Sequence, residues 1–242
     1  MFNIISTKIR KLLEHSGFVV SKFETPKYHF KPNFVSTHTE TLEIIKQNSR
    51  VLDLGCNDGS FLEYLKEKKN CSIIGVDSKN NDGKKIDKII IQDLNEDLPE
   101  IEYDQIDYIT ILDVIEHLNS PEIFLNKLKK KINKNKKIKI IFSTPNVAFL
   151  PIRISLLFGN FNYSSKGILD FTHKRLFTFS SFKNFFVKNG FKINKKIGIP
   201  APFPIVLGEN ILSKFLITLN SFLIFFHKGL FSFQMFYVVE VD

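Results

Sequence analysis

The sequence predicts an α/β fold: a doubly wound, mostly parallel sheet with helices on both faces. Three observations lead there. From about residue 50 to 143, short apolar runs alternate with stretches of helical spacing, the pattern of strands linked by crossover helices. The first run, Val51-Leu52-Asp53-Leu54, opens into a turn punctuated by Gly55 and Gly59. The second, Ile73-Ile74-Gly75-Val76, ends in an acid, Asp77. Strand, glycine turn, helix, strand and acid, in that order, make a cofactor cradle. At 242 residues the chain can form one such core with extensions, and its length does not demand two domains.

Residues 1–47 read as a helical and irregular cap, in which Ile4 to Leu13 has helical apolar spacing and Pro26 and Pro32 interrupt. Strands are expected at 51–54, 73–76, 88–91, 106–111 and 138–142, with helices at 60–69 and 121–132. At Ser120-Pro121-Glu122 the serine is expected to cap the helix. Proline occupies a first-turn position that needs no amide donor, and the glutamate faces the positive dipole end. Ser180 to Asn189 forms a further helix stopped by Gly190. Phe191 to Ile197 and Phe233 to Val241 read as the last strands.

Between those strands, Ile211 to Phe226 is strongly apolar, but Lys214, Thr218, Asn220 and Ser221 interrupt it, and it is too short to span a bilayer. It is expected to be a buried or an interfacial helix. Phe203, Phe215, Phe222, Phe225 and Phe226, flanked by Lys214, His227 and Lys228, make peripheral membrane contact one expectation.

The formal charge is +9, and Phe, Ile, Lys and Asn are enriched while Trp is absent. Read as base composition, this enrichment scatters cations over the surface. The main cluster runs from Lys127 to Lys137, over a helix end and the following loop, where cations complement the macrodipole. Its other reading is attraction to the phosphates of a nucleic acid, nucleotide-sugar or lipid head group. Cys56 and Cys71 give neither a disulfide framework nor a metal spacing. Lys8, Arg10 and Lys11 are not followed by an apolar run with a cleavage site. A cytoplasmic location is expected, with the inner membrane face as the site of any lipid contact.

Gly55 and Gly59 let the backbone approach a ligand, and Asn57 tolerates left-handed geometry better than most residues. The spacing differs from the dinucleotide G-x-G-x-x-G pattern, because Asn57 and Ser60 stand where glycines are wanted. A nicotinamide dehydrogenase is thereby disfavoured. Asp77, at the end of the second strand, is placed to accept hydrogen bonds from the two hydroxyls of a ribose, or else to serve as a turn carboxylate.

These residues resemble motif I and the following acid of the class I S-adenosylmethionine-dependent methyltransferases. The similarity continues through Gln92-Asp93-Leu94-Asn95-Glu96-Asp97-Leu98-Pro99, Ile111 to Pro121 and Ser143-Thr144-Pro145-Asn146, covering roughly residues 48–197. The resemblance implies S-adenosylmethionine as cofactor. It also implies a Rossmann-like sheet of seven strands with one antiparallel strand at the C-terminus. By it, Asp53, Gly55, Cys56, Asn57 and Gly59 line the methionine and ribose, Asp77 holds the ribose, Asp93 and Leu94 meet the adenine, and Asp113 lies beside the transferred methyl. Asn57 replaces the commoner middle glycine, and Asn133-Lys134-Asn135-Lys136 replaces the usual Pro-Gly-Gly. The methyltransferase domain then spans 48–242, with a substrate-side insertion at 145–180 and an apolar helical region at 203–230.

Methyl transfer to oxygen or nitrogen needs alignment and sometimes a base. Asp113, Glu116 and His117 stand at i, i+3 and i+4, so a helical turn there would point them the same way. Downstream, Asp170-Phe171-Thr172-His173-Lys174-Arg175-Leu176-Phe177-Thr178 resembles a segment of bacterial methyltransferases found among polysaccharide-biosynthesis enzymes. Two chemistries are open. In one, His173 takes a proton from a hydroxyl while His117 orients groups, with Asp113 beside them. In the other, Asp113, Glu116, His117 and His173 gather a divalent ion that lowers the pKa of the attacking hydroxyl. That second arrangement resembles the metal site of small-RNA 2'-O-methyltransferases and of some quinone-biosynthesis O-methyltransferases. The same residues can also simply cap and hydrogen-bond a loop. Asp170, Thr172 and Arg175 are candidate substrate contacts; Arg175 and Lys174 are alternatively ion-pair partners of Asp170.

The expected activity is O-methylation of a sugar, glycan or lipid-linked hydroxyl. A quinone or other small-molecule acceptor is the runner-up. From another class, a non-catalytic module that binds cofactor or a partner is the alternative. Nucleic acid is disfavoured, since basic and aromatic residues do not interleave beyond the lysine cluster.

Overall fold

The computed structural model describes residues 30, 33–79, 86–132 and 137–242. The helix expected at Ile4 to Leu13, the two prolines and the Asn133 to Lys136 loop lie outside the described residues. Element order is α1 (Thr37–Ile44), β1 (Arg50–Leu54), α2 (Ser60–Lys69), β2 (Ser72–Asp77), β3 (Lys88–Ile91), β4 (Tyr108–Leu112), α3 (Pro121–Lys131), β5 (Lys139–Pro145), α4 (Leu150–Leu157), α5 (Phe179–Lys188), β6 (Phe191–Ile199), α6 (Phe203–Leu207), α7 (Ile211–Phe226), α8 (Lys228–Phe231) and β7 (Gln234–Val241). Short 3-10 turns stand at Tyr103–Gln105 and Ile115–His117.

The strands form one sheet in the order β3-β2-β1-β4-β5-β7-β6. The pairs β1 with β2, β1 with β4, β2 with β3 and β4 with β5 are parallel, and β7 runs antiparallel to both β5 and β6. The order reverses between β1 and β4, so the crevice beyond their carboxyl ends is where a ligand is received.

Alternation along the strands sorts side chains to the two faces. Leu52, Leu54, Ile140 and Phe142 face the helices α3 and α5, whose Phe124, Leu125, Leu128, Phe182 and Phe186 complete one core cluster. Val51 and Ile141 face the other way, where α2 supplies Phe61, Leu62 and Leu65. Each fully buried Phe in these clusters contributes about 1.5–3 kcal/mol. A third cluster, with Ile152, Ile168, Leu169, Ala201 and Phe233, ties the 145–180 segment to the C-terminal region.

Expected and observed elements differ by one or two residues at most strand ends. One expectation on local structure is corrected. Ser120 makes no side-chain capping bond at the start of α3. Its backbone stands at ψ 77°, whereas Ser36, Thr178 and Asn210, whose side chains do cap helices, stand at ψ 170°, 167° and 175°, the extended geometry that carries the oxygen over the first-turn amides. The 145–180 insertion carries a helix of its own, α4, and the 1–47 cap contains α1, started by a Ser36–Thr39 capping box.

Candidate active site

The turn after β1 is built by backbone demands. Gly55 has φ +94°, and a Cβ added there would sit 2.3 Å from Val114 Cγ2; only glycine fits both. Asn57 at φ 46° and Gly59 at φ 70° turn the chain into α2. The amides of Gly55 and Cys56 donate to the Val76 carbonyl at 2.7 and 3.0 Å, which moors the turn to β2. Asp77 completes the mooring: its Oδ2 accepts from the Asn57 amide at 2.8 Å and its Oδ1 from the Lys79 amide at 3.1 Å. Asp58 in turn accepts from the Ser60 amide at 3.0 Å at the helix start.

Asp53 lies buried under this turn and accepts a short hydrogen bond from the Thr110 hydroxyl of neighbouring β4. Burial pushes its carboxyl up to about 7, opposed by the Thr110 bond and reinforced by Asp77. Cys56 is also buried, which raises its thiol, and neither Cys56 nor Cys71 forms a disulfide. Beyond β3, Asp93 Oδ1 accepts from the Asn95 amide at 2.8 Å and its side-chain amide at 2.9 Å; those bonds hold the carboxyl low. Leu94 packs against the main core.

After β4 the chain passes through Asp113 at φ 54°. Asp113 Oδ1 accepts from Ser143 Oγ at 2.7 Å and Oδ2 from Gln234 Nε2 at 2.6 Å. Burial raises its carboxyl against those two bonds. The left-handed residue and the 3-10 turn that follows replace the helical turn expected here. Asp113 is thereby taken out of the cluster it was expected to share with Glu116 and His117.

Three residues do meet. One ligand-capable atom each from Glu116, His117 and His173 lie within 4.8 Å of one another. His117 Nδ1 donates to the Thr172 carbonyl at 3.2 Å and His173 Nδ1 to the Ile168 carbonyl at 2.9 Å. A carbonyl can only accept, so each Nδ1 carries a proton, and in the neutral ring the lone pair lies on Nε2. Burial lowers the His173 pKa, which favours the neutral ring. Glu116 is 1% exposed, and neither of its carboxyl oxygens has a hydrogen-bond partner among the described residues. Burial, then the Asp113 carboxyl, pushes Glu116 well above the usual carboxylate range.

The loop that delivers His173 is held to the turn by backbone bonds. The Lys174 and Arg175 amides both donate to the Glu116 carbonyl, at 2.8 and 3.0 Å. Asp170 Oδ1 accepts from the Thr172 amide at 2.8 Å and hydroxyl at 2.6 Å. The ion pairing expected between Asp170 and Arg175 or Lys174 is not what forms: Arg175 pairs with Glu122 at 2.9 Å, and Lys174 donates to Asn119 Oδ1 at 2.6 Å. The Asp170 carboxylate is committed to closing its own loop, and the Glu122 at the start of α3 is the nearer anion to the Arg175 side chain.

Two neighbours of the site went unread in the sequence. Gln234 holds Asp113 from β7, and its signal was a polar residue opening the apolar run Met235 to Val239. His38 of α1 packs 4.6 Å from the Phe61 ring at the start of α2, and burial lowers its pKa to about 4. Nothing in its local sequence distinguished it.

A family model described as a methyltransferase domain matches residues 29–196. No match was found among curated proteins. Solved structures share the fold. A SAM-dependent methyltransferase from Archaeoglobus fulgidus aligns with TM-score 0.57 at 22% identity, over 84% of this chain and 90% of that one. One from Aquifex aeolicus gives 0.55 at 12%, over 99% and 97%. One from Mesorhizobium loti gives 0.55 at 13%, over 85% and 98%.

Proposed function

This chain belongs to the methyltransferase-domain family, and from that premise we propose that it carries the methyl group of S-adenosylmethionine to a hydroxyl of a sugar, glycan or lipid-linked acceptor. The cofactor supplies a methyl on a cationic sulfonium, open to in-line attack. The residues fit it: a glycine turn with no room for a Cβ at Gly55 opens at the switch point, with a carboxylate, Asp77, at the next strand end. In this reading Asp77 takes the ribose hydroxyls with the lone pairs left over from Asn57 and Lys79, and Asp93 and Leu94 flank the adenine. Gly55, Cys56, Asn57 and Gly59 present backbone, while Asp53 supports the turn from below through Thr110.

The observation that carries the chemistry is the pair of imidazoles with Nδ1 committed to carbonyls. His173 Nε2 accepts the acceptor's hydroxyl proton, His117 orients it, and Asp113, fixed by Ser143 and Gln234, lines the space next to them. Holding a neutral base against a positioned hydroxyl contributes about 10²–10⁴-fold. Asp170 and Thr172 shape the acceptor loop, and Arg175 offers it a cation. The glycan part of the reading is supported by the resemblance of the 170–179 segment.

A second chemical reading is favoured by Glu116. An unpartnered buried carboxyl beside two imidazole lone pairs suits a divalent cation, with Glu116, His117 and His173 as ligands. Such an ion would lower the pKa of the acceptor hydroxyl. Chelator-treated enzyme that keeps full activity eliminates this reading, whereas a Mn²⁺-dependent rise in melting temperature that Glu116→Gln abolishes establishes it.

The test of the function is calorimetric titration of S-adenosylhomocysteine into wild type and Asp77→Ala, followed by an acceptor screen. Micromolar binding lost in the variant, with methyl transfer to nucleotide-sugars or lipid-linked sugars, is the expected result. Transfer to quinone precursors alone replaces the acceptor class; absence of binding to folded wild type removes the cofactor.

A further inference from the structure

Helix α7 wears its apolar face outward. Its buried face runs through Ser213, Ile217, Asn220 and Ile224. On the opposite side Ile211, Phe215, Phe222 and Phe226 are 88%, 61%, 59% and 67% exposed, with Phe225 at 80% beside them. Those positions follow the 3.6-residue period and form one stripe along the helix. The rotation is locked. Asn220 Oδ1 accepts from the Ala201 amide at 2.8 Å and its Nδ2 donates to the Phe231 carbonyl at 2.9 Å. Rolling the helix to hide its phenylalanines would break both bonds. An outward aromatic stripe of this kind marks an interaction surface.

Charge identifies the occupant. Residues 147–233 contain eleven Lys and Arg against two acids, Asp170 and Glu209, so this segment alone holds the +9 of the chain; the remainder has 23 of each sign and is neutral. Its cations are no denser than elsewhere in the chain, in keeping with a scatter by composition; what sets the segment apart is its lack of acids. Lys214 and Lys228 are exposed, and Lys228 Nζ reaches the Lys196 carbonyl at 3.4 Å, joining the end of α7 to the lysine-rich strand β6. No acid lies between Ile211 and Phe231, so a second copy of this face would set lysines against lysines with no carboxylate to pair them.

We propose that this face docks on an anionic lipid bilayer, with α7 lying in the headgroup plane. Its 16 residues reach about 24 Å, short of a bilayer core, and no helix among the described residues is long and apolar enough to cross a membrane. Phenylalanines enter the acyl boundary while lysines meet lipid phosphates. The site of methyl transfer would then work beside a membrane surface. The proposal stands apart from the acceptor reading, since docking needs neither cofactor nor turnover.

The test is co-sedimentation of the whole chain with phosphatidylcholine vesicles containing about one-third phosphatidylglycerol, alongside pure phosphatidylcholine vesicles. The expected result is binding several-fold stronger to the anionic vesicles, weakened by high salt. A Phe222→Ser, Phe225→Ser, Phe226→Ser variant is expected to partition about tenfold less with its melting temperature retained. Should that variant misfold, Lys214→Glu with Lys228→Glu tests the same face, and a similar loss is expected. Wild type that stays in the supernatant, or folded variants that partition like wild type, overturns the proposal. So does self-association abolished by the substitutions without any vesicle binding, which would assign the face to a second copy.

Discussion

His173 and His117 stand edge to face, their ring centroids 4.8 Å apart and their planes 70° to one another, and each ring gives its Nδ1 proton to a carbonyl of the same loop, Ile168 for one and Thr172 for the other. The loop backbone thus sets the tautomer of both rings, leaving two Nε2 lone pairs beside the buried Glu116. Burial first, and then the nearby His117 ring, lower the His173 pKa against its bond to the Ile168 carbonyl.

If His173 is the base proposed above, replacing it with Ala lowers kcat about 10²–10⁴-fold while the Kd for S-adenosylhomocysteine changes by less than about threefold, as a ring on the acceptor side requires. Single-turnover kinetics beside calorimetry separates the two quantities. Equal loss of both would place His173 in the cofactor site instead.

For Asp77→Asn, the Kd for S-adenosylhomocysteine is expected to rise about 10- to 100-fold, the cost of exchanging charged for neutral hydrogen bonding to a ribose. The neutral side chain still offers one oxygen to the loop amides, so the melting temperature should fall only slightly. A large stability loss with unchanged affinity would assign Asp77 to the turn alone.

Gly55→Ala meets two penalties, a left-handed φ and the Val114 methyl 2.3 Å from the new Cβ. Together they are expected to cost about 2–4 kcal/mol in urea denaturation. Adding Val114→Ala should recover about half, because it relieves the clash and leaves the backbone strain.

Asp53 makes stability pH-dependent. Its carboxyl titrates near 7 in the folded protein against an ordinary value of 3.8, so the folded state binds the proton more tightly. The contribution of Asp53 is fully present below about pH 4 and is lost as pH rises through 7. Asp53→Asn keeps an acceptor for Thr110 and removes the titration. The variant is expected to gain on wild type between pH 5 and pH 8, by up to about 3 kcal/mol; a constant difference across that range would refute the assignment.

The sequence by itself determined the elements and the glycine turn that opens on the crevice. Strands β1 and β2, the turn at Gly55 and the helix at 60–69 are local properties: two-residue apolar alternation, positive φ met by glycine, and helical spacing each leave a signature within a few neighbours. The acids Asp77 and Asp93 were legible because strand ends in a parallel sheet all open on one crevice. Tertiary structure decided the rest. Whether Asp113 would join Glu116 depended on a left-handed residue and on Gln234 arriving from β7, far along the chain. The partner of Arg175 depended on where α3 begins beneath it, which no spacing in the 170–179 segment encodes. The polar residues of helix α7 fall on both faces, Ser213 and Asn220 on the buried one and Lys214, Thr218 and Ser221 on the exposed one, so periodicity could not say which face is buried; two hydrogen bonds from Asn220 to distant backbone groups settled it. Local sequence carries the conformational preferences of neighbours, whereas the partner of a buried polar group is chosen by which segments the fold brings within hydrogen-bonding reach.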